Sequence, residues 1–432
     1  MLGALGLGTV AAVTGVAASL AGAESASAAT RHGHHDGPPP GPRRPGPGRG
    51  QGREAQERVP FYGTEQAGIT TTQQAHLVFT SLQVTTRSRA ELIEVLRTWS
   101  SATAVMAEGL PVGPAVSGPG SAAPRDSGEA LDLPPSRLTV TLGFGPTLFR
   151  SADGQDRFGI ASRTPRRFSA LPAFPRDELD PAICGGDLCL QVCADDLQVA
   201  LHAVRTLVRL ADGAVSVGWS QVGFASGSPY AGAGSTARNL HGFKDGTNNI
   251  RSQDAIGLDR WVWVQPWEGQ GWMTGGTFLA VRRIRMLLED WDQAPLVEQE
   301  QVVGRAKGSG APLSGGGEFT RPDFAARDDA GRLLIHPRSH MALASPATNG
   351  GIRILRRAFH YLDGTDAQGR IDSGLFFLAF TRDLVGQFIP LQQRLSEQDL
   401  MNEYLRYTSS SSFVIPPGAR TPKDYVGQGL FT

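Results

Sequence analysis

The sequence predicts an α+β fold, built as two tandem ferredoxin-like units with antiparallel sheets. Three observations carry this prediction. Apolar residues recur at period two in some segments and at helical spacing in others, so strands and helices are both present. In the first half they follow in the order β-α-β and again β-α-β, which lays helices on one face of an antiparallel sheet. The second half varies the same plan, and no shorter repeat that would build a solenoid is present.

The elements follow in order. His76–Thr86 reads as a strand. Ser88-Arg-Ala-Glu91 is a capping box, and Leu92, Val95, Leu96 and Trp99 then recur at helical spacing. Pro111–Pro135 is a long loop rich in Gly, Pro and Ser. Leu138, Val140, Leu142 and Phe144 alternate with Thr139 and Thr141, which predicts a half-buried strand. Asp187–Ala194 is a further strand. Asp195 and Asp196 cap a helix with Leu197, Leu201, Val204 and Val208 on one face. Ala214–Phe224 is the last strand of this unit. In the second half, strands are predicted at Gly276–Met286, Ile352–Tyr361 and Gly374–Arg382, and helices at Pro295–Arg305 and Leu384–Tyr407.

The chain has 432 residues, room for two or three domains, with 40% hydrophobic content. Lys+Arg and Asp+Glu both number 41, a balance that argues against a dedicated nucleic-acid binder. Leu2–Ala23 carries no charge and is followed by Ala26-Ser27-Ala28, so residues 1–30 read as an export signal with its cleavage site. No Lys or Arg precedes Arg31, and the positive start of such a signal is expected upstream of Met1. Residues 31–58 are a Pro/Gly/Arg linker too poor in apolar residues to fold, and His32, His34 and His35 read as part of a solvated tail. The folded part divides into an N-terminal unit, 59–235, and a C-terminal unit, 236–432. Cys184, Cys189 and Cys193 do not form an even framework. Cys189 and Cys193 on one strand would stand about 13 Å apart, too far for a disulfide.

Chemistry concentrates in His241-Gly-Phe-Lys-Asp-Gly-Thr-Asn-Asn249. Two glycines let the backbone turn or approach a flat ligand closely, and they place the single carboxylate of Asp245. The Asp-Gly pair taken alone would be an ordinary hairpin turn. A metal-ligating imidazole has several candidates, among them His76, His202, His336, His340 and His360, and spacing alone leaves His336 a rival of His340. Of the adjacent Arg356 and Arg357, strand alternation turns only one toward a pocket; the alternative is two surface arginines on an edge strand.

The longer string Asn239-Leu-His-Gly-Phe-Lys-Asp-Gly-Thr-Asn-Asn-Ile250 resembles the GxxDG signature of the dye-decolourising (DyP-type) haem peroxidases. Ser339-His340-Met-Ala-Leu-Ala-Ser-Pro346 is similar to the family's proximal-histidine segment, and Arg356 after Ile-Leu matches its distal arginine. Leu375 and Phe377 match the apolar pair lining the distal side, and Asp399 matches an acid that orients the proximal imidazole. Phe61-Tyr-Gly-Thr-Glu-Gln-Ala-Gly-Ile69 and Lys307-Gly-Ser-Gly-Ala-Pro-Leu313 fit as well, so the similarity runs from Phe61 to Thr432. It is nearest to the exported deferrochelatase/peroxidase branch, which leaves by the twin-arginine route. Two departures stand out. Glu65 replaces a common His, and Met341-Ala342 replaces Ile-Arg, removing an arginine directed at a haem propionate.

The resemblance implies a fold of the dimeric α+β barrel type with one non-covalent haem b in the C-terminal unit. It implies His340 as axial ligand of the haem iron, and Asp245 and Arg356 as the catalytic pair. It places Gly242, Phe243, Gly246, Thr247, Asn248, Leu375, Phe377 and Asp399 around the cofactor. It implies hydrogen peroxide and a dye or phenolic reductant as substrates, with deferrochelation of haem as the alternative activity. An iron-uptake system and further copies of the chain are the expected partners. A chlorite-degrading relative would have the distal arginine without Asp245.

Overall fold

The computed structural model describes residues 58–113, 123–226, 236–268 and 271–432, which belong to one compact unit. The predicted export signal, and the linker up to residue 57, lie outside the described residues. The principal elements are β1 (His76–Val84), α1 (Arg89–Ala107), β2 (Thr139–Phe144), β3 (Leu188–Ala194), α2 (Leu197–Leu210) and β4 (Val215–Phe224). Then come β5 (Thr277–Met286), α3 (Leu296–Val303), α4 (His340–Ala344), β6 (Leu355–Arg356), β7 (Phe359–Thr365), β8 (Ile371–Thr381), α5 (Ile389–Gln398) and β9 (Leu405–Ile415).

The strands pair in the order β5-β9-β2-β3-β1-β4-β7-β8-β6, and β5 also pairs with β8. The sheet therefore closes on itself, with β6 and β7 lying end to end along the same side of β8. Each half contributes four strand positions in the same spatial order, β4-β1-β3-β2 and β9-β5-β8-β7, the arrangement of a ferredoxin-like unit. Two short seams join the halves, Phe144 opposite Val414 and Phe224 opposite His360. Closure leaves no long free edge.

Alternation along the strands then creates two cores. Leu77, Phe79, Trp219, Leu279, Phe376 and Phe413 fill the inside of the barrel. Val78, Leu82, Val140, Leu142, Leu190 and Val192 face outward and are covered by α1 and α2. Ser88 caps α1 by accepting from the Glu91 amide at 3.2 Å. Glu91 does not reach back to the Ser88 amide as a capping box would; its carboxylate takes the Thr86 hydroxyl at 2.5 Å, and Thr86 in turn accepts from the Ser88 amide.

Four expectations are corrected. The strand at 138–144 is buried on both faces, because Thr139 and Thr141 point into the barrel, where Gln74, Gln191 and the Ala67 carbonyl satisfy their hydroxyls. The helix after Asp196 buries Val199, Ala200, Ala203, Val204 and Leu207, while Leu197 and Leu201 are exposed, so the covered stripe is rotated from the predicted one. The strand predicted over Ile352–Tyr361 is broken between Arg356 and Phe359. The helix predicted over Leu384–Tyr407 ends at Gln398. Asp399 turns extended, with φ −68° and ψ 125°, and residues 405–415 form β9, one of the strands that close the barrel. Four serines in Ser409–Ser412 hid that strand: their small hydroxyls fit inside and outside the barrel alike and leave no apolar alternation.

Candidate active site

The turn carrying Asp245 is a small hairpin held by its own backbone. The Asn239 amide donates to the Phe243 carbonyl and the Asp245 amide to the Ala237 carbonyl, both at 2.9 Å. Gly242 (φ 84°) and Gly246 (φ 119°) take left-handed conformations that a side chain would strain. A Cβ at Gly242 would also stand 2.8 Å from the Lys307 side chain. Phe243 is buried against Trp291, Val302, Met401 and Tyr404 and anchors the turn from below. Glu318 grips both shoulders, pairing with Lys244 and accepting from the Thr247 hydroxyl at 3.1 Å. Asn248 is exposed, with no side-chain hydrogen bond among the described residues. With its neighbours so fixed, Asp245 directs its Oδ1 to the Arg356 guanidinium, 2.8 Å away.

Arg356 is placed by two elements. In β6 it lies opposite Ala379 of β8, so it shares the outer face of the sheet with Phe377 and Leu375. Asn249 clamps its backbone, donating to the Arg356 carbonyl at 2.7 Å and accepting from the Arg356 amide at 2.9 Å. Arg357 turns the other way into the barrel, where it donates to the Thr71 carbonyl and to Gln74. Neither arginine is a surface residue, and alternation assigns the pocket to Arg356.

His340 opens the single turn of α4, capped by Ser339, which accepts from the Ala342 amide. Its Nδ1 meets Asp399 Oδ2 at 2.6 Å, while Asp399 Oδ1 accepts from the Met401 amide at 2.9 Å. Asp399 therefore both caps the turn after α5 and orients the imidazole. Nε2 of His340 has no partner among the described residues, and 43% of the side chain is accessible. His336 uses its Nδ1 to accept from the Arg338 amide, inside its own turn.

The electrostatics bind these groups into one site. Burial opposes the charge of Asp245, but Arg356 and His340 outweigh it and hold the carboxyl below the ordinary aspartate range. Burial likewise opposes a proton on His340, yet Asp399 and, more weakly, Asp245 raise its pKa. Asp245, Arg356 and His340 thus lie within reach of one another's charge. Asp245 and Arg356 each keep 28% of the side chain accessible. Accessibility combined with strong desolvation is the signature of groups lining a cleft. Burial, aided by repulsion from His340 and Lys307, pushes His241 down to about 4, and its buried Nε2 has no partner among the described residues.

The Dyp-type peroxidase N-terminal family model matches residues 66–225, and the C-terminal model matches residues 236–420. The chain belongs to the Dyp-type peroxidase family. Among its relatives, a deferrochelatase from Escherichia coli (strain K12) is 36% identical over 380 residues, 87% of each chain. Ferric DtpA from Streptomyces lividans is 39% identical, with a TM-score of 0.78 and coverage of 87% of this chain and 97% of that one. A DyP-type peroxidase from Cellulomonas bogoriensis is 38% identical, with a TM-score of 0.76 and coverage of 86% and 98%.

This DyP-type enzyme is a haem peroxidase, and its residues fit that cofactor. His340 offers one unpartnered ring nitrogen, and the carboxylate on the other fixes the tautomer and raises ligand basicity, as at metal-bound imidazoles. A carboxylate and a guanidinium within charge range of that nitrogen supply acid–base and electrostatic groups. Leu375 and Phe377 keep part of their surface free on the face that carries Arg356. Phe243 and Thr247 serve the turn, through Trp291 and Glu318, rather than presenting free side chains. Asn249 and Glu318 were missed from the sequence. Asn249 sat within the amide cluster, but its partner is more than a hundred residues away and no local pattern shows it. Glu318 sits in a Gly-rich stretch with no periodicity.

Proposed function

We propose that Asp245 is the proton acceptor and donor of the peroxide step, that Arg356 stabilises its developing charge, and that His340 would hold the haem iron through its Nε2. The Asp245–Arg356 pair, within charge range of an imidazole seated on Asp399, carries the reading. Haem, when bound, supplies the iron at which the O–O bond is broken and the oxidising equivalents are stored. Asp245 would take a proton from one peroxide oxygen and deliver it to the other, which would leave as water. Arg356 offsets the negative charge gathering on that oxygen as the bond breaks. Asp399 holds His340 in the tautomer whose Nε2 carries a lone pair. Overall, two molecules of a phenol or dye, each giving one electron, would with two protons complete the reduction of the peroxide to two molecules of water. Spectra of the purified protein before and after peroxide test this directly. Wild type converts at once, and Asp245→Asn converts slowly with its haem retained.

A second activity, release of iron from haem with the porphyrin intact, is favoured by the 36% identity to a protein named deferrochelatase. Anaerobic incubation with haem should then leave iron-free porphyrin, and intact haem alone would reject it. Such an enzyme would serve an iron-uptake system. Export fits the uncharged run Leu2–Ala23 and the Ala26-Ser27-Ala28 site, while the twin-arginine route rests on the resemblance to the exported branch. The mature protein should begin just after Ala28, which N-terminal sequencing of the exported form reads. An unprocessed N-terminus in the cytoplasmic fraction would reject it.

A further inference from the structure

The turn that carries Asp245 and the turn that carries Asp399 lie far apart in the chain, and one buried tryptophan meets both. Trp291 sits in the short helix Leu288–Gln293, which follows directly on β5. It is 1% exposed. Its indole N–H donates to the His241 carbonyl at 3.0 Å, and it is the one donor to that carbonyl among the described residues. The indole also packs on the His241 ring, with centroids 4.5 Å apart, and meets the Phe243 ring at 6.0 Å. The Tyr404 ring stands edge-on to it at 4.9 Å. Tyr404 ends the short turn Leu400–Glu403, which Asp399 caps. Its amide donates to the Met401 carbonyl, and its carbonyl accepts from the Leu287 amide, both at 2.9 Å. Met401, whose amide holds Asp399 Oδ1, shares one buried cluster with Trp291, Phe243 and Tyr404. Asp399 Oδ2 in turn meets His340 Nδ1. Hydrogen bonds and packed rings thus run without a gap from the Asp245 turn, through Trp291, to the His340 imidazole.

We propose that Trp291 is a positioning residue that fixes Asp245 and His340 relative to each other, and with them the gap in which peroxide lies. Proton transfer demands groups held within a fraction of an ångström, so the supporting contacts matter as much as the groups. No short stretch of chain joins the two turns, so tertiary contacts set their spacing. Aliphatic packing can slide, but an indole whose N–H is committed to a carbonyl cannot turn without breaking a buried hydrogen bond. The helix bearing Trp291 begins where β5 ends, so both turns are referred to the wall of the barrel. Coupling between them then travels through this contiguous chain of contacts.

This role rests on Asp245 and His340 serving one haem, and the test has an arm independent of that reading. Trp291→Phe keeps a ring and removes the donor. Trp99→Phe is the control: its indole N–H donates to the Leu207 carbonyl at 2.7 Å between α1 and α2, so the same kind of buried bond is lost away from the site. Hydrogen exchange is followed in the holoenzymes at the amides of Phe243, Asp245 and Met401. All three should exchange faster together in Trp291→Phe, by about tenfold, and stay at the wild-type rate in Trp99→Phe. The rate of haem oxidation by peroxide should fall by about tenfold in Trp291→Phe and change less than about twofold in Trp99→Phe. The ferric haem spectrum should shift in Trp291→Phe alone, because the partner of His340 is displaced. Tyr404→Leu approaches from the other turn: it has no hydrogen bond to the Asp245 turn, yet it should free the Phe243 and Asp245 amides and slow the peroxide step. Wild-type exchange, rate and spectrum in Trp291→Phe overturn the proposal. So does loosening of one turn without the other, and so does an equal loss in Trp99→Phe, which would make the effect one of general stability. Failure of both Trp291→Phe and Tyr404→Leu to fold with haem assigns the cluster to the fold and also overturns it. If Asp245→Asn keeps the wild-type rate, the reading of Asp245 fails instead, while coupled exchange of the two turns still supports Trp291 as their link.

Discussion

Asp399 divides its carboxylate between two tasks, with one oxygen on the Met401 amide and the other on His340 Nδ1. A burial penalty on that carboxylate is offset only if both oxygens are used, and both are. His340→Ala should lose most of the haem, while His336→Ala keeps it, because only His340 has a free ring nitrogen over a carboxylate. Haem absorbance per protein reads this, and the reverse pattern would sink the assignment. Asp245→Asn should slow the peroxide step by about a hundredfold or more, the usual scale of a general acid–base group. The pH dependence follows from the sign of the shift. Against the opposing effect of burial, Arg356 pulls the Asp245 pKa down, so its basic form persists above that lowered value and is lost only as pH falls through it. A carboxylic acid is the better donor for the second transfer, and catalysis is best near the pKa of the group. Dye oxidation is therefore expected to peak in acid, near or below the ordinary aspartate pKa of about 4. A neutral optimum in a pH–rate profile would contradict it.

The element that sets the site is the broken strand β6–β7. Arg356 has β8 on one side only; on its other edge Asn249 supplies the backbone partners that no neighbouring strand provides. Asn249→Ala leaves Arg356 amide and carbonyl unsatisfied, at about 1–3 kcal/mol in stability. Because a small misplacement of a catalytic group is costly, the peroxide step should slow by roughly tenfold while haem content holds. An unchanged rate would mean that the strand holds Arg356 without the clamp. Alternation predicted that only one of Arg356 and Arg357 reaches the pocket, and that survives the break because each residue still turns opposite its neighbour. The predicted length did not survive, since the strand is interrupted between Arg356 and Phe359.

At the scale of the whole molecule, the two ferredoxin-like halves share one barrel interior. Neither half could bury Phe79, Trp219, Phe376 and Phe413 alone, because these rings meet across the lumen from strands of both halves. Residues 58–432 should therefore unfold in a single transition, with tryptophan fluorescence and far-UV circular dichroism coincident; two separated transitions would contradict it. The connection between β2 and β3 adds a second tie. Asp177 crosses to the other half and pairs with Arg282, which is fully buried between Phe174 and Tyr407. Asp177→Ala leaves that guanidinium buried without its partner and should cost about 3–5 kcal/mol, read by chemical denaturation. A cost below about 1 kcal/mol would show that the two rings and solvent suffice for the cation.

Sequence by itself determined the local and periodic features. β1, β3, β4, β5 and β8, the caps at Ser88 and Asp196, and the doubled β-α-β plan all follow from interactions within a few residues. The resemblance of the glycine turn and the proximal segment also pointed to Asp245, His340, Arg356 and Asp399, and the fold brings these four together. Only the tertiary structure decided which face of α2 is covered, because Leu197 and Leu201 are as apolar as the residues that the sheet selects. It alone revealed β9, whose serines are compatible with helix, loop or strand until a barrel needs closing. It alone placed Asn249 and Glu318, since each acts on a partner distant in sequence, and hydrogen bonds between remote segments leave no periodic trace in the chain.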